Sequence, residues 1–150
     1  MKNQSKYDAL KLENQLCFPL YACSKEIIKR YRPFLDELDL TYTQYIAMMV
    51  LWDKKEISVK DLGKKLFLDS GTLTPVLKSL ESKGYVNRHR SKEDERILLV
   101  EITKEGEALK EDAVEVPMKI SKCEGMASLT REEAVELYRL LYKVLGGVEA

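Results

Sequence analysis

Residues 66–96 read LFLDSGTLTPVLKSLESKGYVNRHRSKEDER, and the fold turns on this stretch. Asp69 and Ser70 are each able to cap free backbone N–H groups, with Gly71 just behind them, so a helix starts here. Leu73, Val76, Leu77 and Leu80 follow at helical spacing and predict one buried stripe. Gly84 supplies the left-handed conformation that ends helices. Tyr85 to His89 and Ile97 to Ile102 then read as two short strands, joined by the charged turn Arg90 to Arg96. Helix, strand, basic turn and strand are the parts of a recognition helix with its wing.

The exposed face of that helix carries Ser70, Thr72, Thr74 and Lys78, which are donors and not acids. They are expected in a DNA major groove, with Arg88, Arg90, Lys92 and Arg96 on phosphates or in the minor groove. The competing reading is a set of solvated faces, because 33% of the chain is charged. Winged helices also serve as protein–protein modules. His89, the only histidine, is expected on a phosphate or as a plain surface residue, since no acid–nucleophile set surrounds it.

Upstream, Ser58-Val-Lys-Asp61 caps a short helix ending near Leu66, with Val59, Leu62 and Leu66 inward. That helix, a turn at Phe67-Leu68-Asp69 and the reader make a helix-turn-helix. Before it, Thr41-Tyr-Thr-Gln44 fits a capping box and opens another helix, with Tyr45, Ile46, Met49, Val50 and Trp52 apolar. The winged helix-turn-helix therefore spans about residues 41–103.

Outside it lie helices without an evident partner. Leu12, Leu16, Leu20, Cys23, Ile27, Tyr31 and Phe34 recur at steps of three or four. Pro19 interrupts them: either the helix begins near Cys17 with Pro19 in its first turn, or a longer helix is kinked. Pro33 is expected to end it. Thr103 begins a long helix to about Ser121, bent at Pro117. Thr130-Arg-Glu-Glu133 is a second capping box, opening a last helix on which Ala134, Leu137, Tyr138, Leu141, Val144, Leu145 and Val148 repeat. These stripes, about 8–34 and 104–148, cannot all cover one small winged domain. Pairing with a second copy would bury them and set two readers about 34 Å apart, one turn of DNA.

Composition agrees with one mainly α domain over residues 1–150, with a small β-wing and terminal helices for dimerisation. No run approaches the roughly 20 apolar residues of a membrane span, and the N-terminus is not a signal peptide, so the expected place is the cytosol. The formal net charge is zero, but residues 54–104 hold 12 Lys/Arg against 8 Asp/Glu, while residues 105–150 hold 6 against 10. The positive excess falls on the reader, where phosphate contacts need it.

Three cysteines and one histidine lack zinc-site spacing, and no cofactor or metal is expected. Cys17 reads either as a small buried hydrophobe or as a stabilised thiolate, for which tyrosine hydroxyls are good donors. Tyr21 sits one helical turn after it. Cys23 falls on the apolar stripe and is expected to be packing. Cys123, in the connection 121–128, is either a half-exposed bystander or a resolving thiol.

Taken together, these residues resemble the MarR family of winged-helix regulators, and within it the organic hydroperoxide-sensing OhrR branch. The segments that carry the resemblance are LENQLCF around Cys17, LTYTQYIAMMVLW at 40–52, LFLDSGTLTPVLKSLE at 66–81 and RSKEDER at 90–96. The resemblance implies a homodimeric repressor, not an enzyme, that binds a palindromic operator on double-stranded DNA when reduced and leaves it on meeting organic hydroperoxide. It implies that Cys17 is the peroxide-reactive cysteine. Tyr31 and Tyr42 match the tyrosines that hydrogen-bond its thiolate across the dimer, and Tyr21 matches a further one. Cys123 lies where two-cysteine members carry the resolving cysteine. Pro19 departs from the family's usual aliphatic residue. Related staphylococcal-type global regulators share LCF and LDSGTLTP, so the genes controlled are not fixed by these motifs. Two alternatives stand beside this reading. One is a MarR-type regulator released by a small phenolic or lipophilic ligand; the other is a thiol peroxidase, ranked last because no turnover constellation surrounds Cys17.

Overall fold

The computed structural model describes residues 5–146. Two short 3-10 turns, Asp8–Leu10 and Leu12–Asn14, lead into α1 (Cys17–Asp36). There follow α2 (Tyr42–Lys54), β1 (Glu56–Ser58), α3 (Val59–Leu66), α4 (Ser70–Ser82), β2 (Val86–Arg90), β3 (Leu98–Ile102), α5 (Lys104–Ala113), α6 (Val116–Ser121) and α7 (Arg131–Val144). The chain is mainly α with a small wing. Val148, expected on the last helix, lies outside the described residues.

Of the two readings of Pro19, the structure takes the first. Helix α1 starts at Cys17 and Pro19 is its third residue, where the missing N–H would have had no helical acceptor. Pro33 does not end the helix: α1 continues to Asp36. Leu35, 2% exposed, packs into the core just beyond it, and that burial outweighs the one backbone bond Pro33 removes. Cys23, expected to be packed, is exposed instead. Only the far end of its stripe, Tyr31 and Phe34, packs against the core, and Leu35 is the one fully buried residue of α1.

The expected long helix over 103–121 is two helices. Pro117 is the second residue of α6, and its ring would have collided with the Ala113 carbonyl had α5 run on. The chain therefore breaks at Val114–Glu115 and is not merely bent.

Caps fall where the sequence puts them. Thr41 Oγ1 accepts from the Gln44 N–H at 3.3 Å while Gln44 Oε1 accepts from the Thr41 N–H at 3.1 Å. The same reciprocal pair closes Thr130 and Glu133 at the start of α7. Past α4, the Tyr85 N–H donates to the Leu80 carbonyl and the Gly84 N–H to that of Glu81, with Gly84 at φ 81°. These two crossed bonds satisfy the last carbonyls of α4 and turn the chain sharply into β2.

The sheet is antiparallel in the order β1-β3-β2. Strand β1 was not foreseen; it is only three residues, too short for alternation to show. Leu73, Leu77 and Leu80 of α4 meet Met48 and Leu51 of α2, Leu62 of α3, Val86 and Val100 in one buried cluster, each at most 1% exposed. Cutting any of these leucines to alanine is worth about 2–5 kcal/mol of stability.

Two side chains tie the layers together. Gln44, buried at 6% exposure, donates from Nε2 to Ser79 Oγ at 2.9 Å, joining the first turn of α2 to α4. Trp52 Nε1 donates to the Gly106 carbonyl at 2.9 Å, joining α2 to α5. In contrast, α7 buries none of its residues, and Val135, Leu137, Tyr138, Leu140 and Val144 all face outward. Leu10, Leu12, Leu16 and Phe18 do the same at the other end of the chain.

Candidate functional site

Two regions carry the chemistry, an outward helix with its wing and a thiol with its aromatic neighbours.

Helix α4 is fixed from within by its leucine stripe, which leaves Ser70, Thr72 and Lys78 exposed and Thr74 half-exposed. Asp69 caps it, its Oδ1 accepting from the Thr72 N–H at 2.8 Å. The Thr74 hydroxyl donates to the Ser70 carbonyl at 2.7 Å, so its proton is already committed and its oxygen faces outward as an acceptor. Phe67, left-handed at φ 54°, makes the tight turn from α3.

In the wing, the basic residues divide by how far along the sheet they stand from the core. Arg88 pairs with Val100, and its side of the sheet faces the core. There its Nη2 donates to Glu81 Oε1 at 3.1 Å and its backbone N–H to Glu81 Oε2 at 2.9 Å. Those two bonds hold the Glu81 carboxyl below its ordinary pKa. Arg88 thus fastens the wing to α4, and is not free to reach phosphates or the minor groove as its sequence position suggests. Buried Val86, two residues back, is the signal that could have shown this. Arg90, Lys92 and Arg96 lie beyond the core and are exposed. Arg96 grips Asp94 with two bonds of 3.0 Å, which shapes the turn and lowers the Asp94 pKa. His89 is on the outer face of the sheet.

Cys17 is the first residue of α1 and exposed. Tyr21, one turn on, is exposed as well, with the Lys25 ammonium 5.1 Å from its ring centre. Tyr31 and Tyr42 stand elsewhere. Their rings meet edge to face at 5.0 Å, with Tyr45 at 5.8 Å and 6.4 Å from them. Burial raises the pKa of all three hydroxyls, that of Tyr45 to about 12, so they remain protonated donors across the physiological range. Neither the Tyr31 nor the Tyr42 hydroxyl has a hydrogen-bond partner among the described residues.

From Cys17 to Tyr31 is 14 residues of helix, about 21 Å at 1.5 Å per residue. The structure does not bring the thiol and these tyrosines together within one chain. Cys123 is also at the far end. It follows α6, half-buried, with Sγ 3.5 Å from the Lys119 carbonyl. The neighbouring Lys119 ammonium sits 5.8 Å from the Phe34 ring, and Gly125 lies against the Arg30 guanidinium. Tyrosine pair and second cysteine therefore share one end of α1 while Cys17 holds the other.

The family described as "Transcriptional regulator SarA/Rot" matches residues 24–113. The chain is 47% identical over 142 residues, 95% of each chain, to the organic hydroperoxide resistance transcriptional regulator of Bacillus subtilis. Among solved structures, it resembles reduced AbfR of Staphylococcus epidermidis bound to DNA, with a TM-score of 0.76 and 33% identity over 96% of this chain and 99% of that one. It also resembles a mutant MarR of E. coli complexed with operator DNA, with a TM-score of 0.75 and 26% identity over 95% and 99% of the two chains.

Proposed function

From the premise that this chain belongs to the MarR-type winged-helix transcriptional regulators, in their SarA/Rot and organic-hydroperoxide-resistance group, we propose that it is a homodimeric, thiol-switched repressor of the cytoplasm. It holds a palindromic operator while Cys17 is reduced and leaves when an organic hydroperoxide oxidises Cys17. The family is one of regulators, not enzymes, which sets the thiol-peroxidase alternative aside.

The observation that carries the reading is the separation along α1. If two α1 helices pair antiparallel, the Cys17 of one chain meets Tyr31, Tyr42 and Cys123 of the other, and the apolar ends of both chains are covered. The protonated tyrosine hydroxyls then donate to the thiolate, and Tyr21 flanks it. The thiolate attacks the distal peroxide oxygen. The O–O bond breaks, the alkoxide takes a proton and leaves as the alcohol, and Cys17 becomes a sulfenic acid. Attack by the Cys123 thiol releases water and forms an intersubunit disulfide.

The readout runs through α2. Tyr42 is its first residue and Gln44 its third, and Gln44 is bonded to Ser79 on the reader. Drawing Tyr42 away from the oxidised sulfur moves that first turn, and α4 moves with it. Ser70, Thr72, Thr74 and Lys78 then lose register with the groove, and Arg90, Lys92 and Arg96 with the phosphates. Arg88 acts by anchoring the wing. A hundredfold loss of DNA affinity needs only about 2.8 kcal/mol of difference between the two states.

The test is an operator gel shift with wild type and Cys17→Ser, with and without organic hydroperoxide. The wild type is released by the oxidant and Cys17→Ser stays bound; release of both would overturn the assignment. One feature favours the other regulator reading, a recess of about 560 Å³ whose lining mixes Tyr45, Met49 and Trp52 with the charged Asp53, Lys55 and Lys110. Release by a phenolic acid with the thiols reduced would support that ligand-gated reading.

A further inference from the structure

On the outer face of the sheet, each strand gives one side chain to a single cluster. Glu56 of β1 and Glu101 of β3 are direct cross-strand partners. His89 of β2 lies diagonal to Glu101, two positions beyond that residue's own partner, Asn87. Two carboxylates directly opposite each other repel, so the pair calls for a positive charge between them.

The imidazole is set for that purpose. Its Nδ1 is 3.2 Å from the Arg90 carbonyl oxygen, which only accepts, so Nδ1 carries the proton. In the neutral ring, Nε2 then turns its lone pair to the carboxylates, 3.3 Å from Glu56 and 3.5 Å from Glu101. A histidine whose far nitrogen is held by a backbone carbonyl is in the orientation that metal-bound histidines take. The spacing fits too. Ligand atoms about 2.1 Å from a tetrahedral ion stand about 3.4 Å apart. All three ligand atoms lie within 4.8 Å of one another.

We propose that Glu56, His89 and Glu101 form a site for one divalent cation of borderline softness, with Zn²⁺ as its probe and water completing the tetrahedron. One nitrogen and two carboxylate oxygens suit such an ion better than a soft thiophilic one. The site joins β1, which leads directly into α3, to β2, which leads into the basic turn. A cation there fastens the wing's outer face, as Arg88 and Glu81 fasten its inner one. It is independent of the thiol chemistry.

His89 is the only histidine in the chain, so its ring proton signals report on this site whatever the three cysteines do. Reduced full-length protein is titrated with ZnCl₂ at constant neutral pH and followed by NMR. A saturable shift of the His89 ring signals is expected in wild type, weakened by about tenfold or more in Glu56→Gln and in Glu101→Gln. These positions are exposed, and circular dichroism of each variant verifies that it is folded. Ring signals that respond to pH but not to millimolar Zn²⁺ would overturn the proposal. So would equal Zn²⁺ midpoints in wild type and both variants, which would make His89 a lone binder.

Discussion

Glu81 on the last turn of α4 and Arg88 on β2 hold each other through both carboxylate oxygens, at 3.1 Å to the guanidinium and 2.9 Å to the backbone N–H. Because these bonds lower the Glu81 pKa from 4.5, the linkage is present above about pH 4.5 and is lost as pH falls through the lower folded-state value. Amide signals of β2 should therefore broaden in mild acid while those of α2 hold. Glu81→Gln should loosen the wing at neutral pH, weaken operator binding several-fold and abolish that acid step. An unchanged acid step in Glu81→Gln would place its origin elsewhere.

Arg88 and Arg90 are two residues apart and should behave differently. Arg90→Ala is expected to weaken binding to every DNA sequence and to lower the log–log salt slope by about one. Arg88→Ala should leave that slope intact and lower the melting temperature, because its guanidinium packs on Glu81 and not on phosphate. Salt titrations of the two variants separate the roles. A slope change in Arg88→Ala equal to that of Arg90→Ala would contradict the structure.

Tyr31→Phe and Tyr42→Phe keep the edge-to-face rings and remove only the hydroxyls. DNA binding should survive in both. Oxidation of Cys17 by organic hydroperoxide should slow by about tenfold, the scale of one hydrogen bond to a charged group. Stopped-flow trapping of the sulfenic acid measures this. Because burial raises the tyrosine pKa values, fold stability should fall as pH rises from 10 toward about 12, with 295 nm absorbance following Tyr45.

Gly106→Ala should be among the most damaging small changes. A Cβ there would stand 2.2 Å from the Tyr85 carbonyl oxygen and 2.9 Å from Ile102 Cγ1. The backbone would have to move, straining the Trp52–Gly106 bond, at about 1–3 kcal/mol. Urea unfolding of the variant reads that loss directly.

Cys123→Ser should abolish a peroxide-induced dimer on a non-reducing gel, while Cys23→Ser should leave it unchanged. A wild type that stays monomeric on that gel after oxidation would remove Cys123 from the mechanism.

The reader could be read from sequence because each of its parts is local. Asp69 caps within three residues, the leucine stripe repeats every turn, and Gly84 is needed where φ is positive. The two capping boxes were legible for the same reason. What escaped were features set by distant partners. Pro33 reads as a stop until Leu35 is known to be buried. Cys23 sits on a periodic stripe of which only the far end, Tyr31 and Phe34, reaches the core. Strand β1 exists only because β3 pairs with it. Arg88 looks like its neighbours until its place beside buried Val86 and Val100, within reach of Glu81, is known. That Cys17 and the Tyr31–Tyr42 pair stand at opposite ends of α1 was not legible either, because it depends on where that helix begins and how α2 packs on it.

Gln44 closes the cap on α2, accepts from Lys83 at 3.3 Å and donates to Ser79. Glutamate there would lose the donor to Ser79, and leucine would strand the Thr41 N–H. The position therefore has few single-step replacements open to it over descent. Gln44 and Ser79 form one unit of substitution, so the first turn of α2 and the body of α4 tolerate change jointly or not at all.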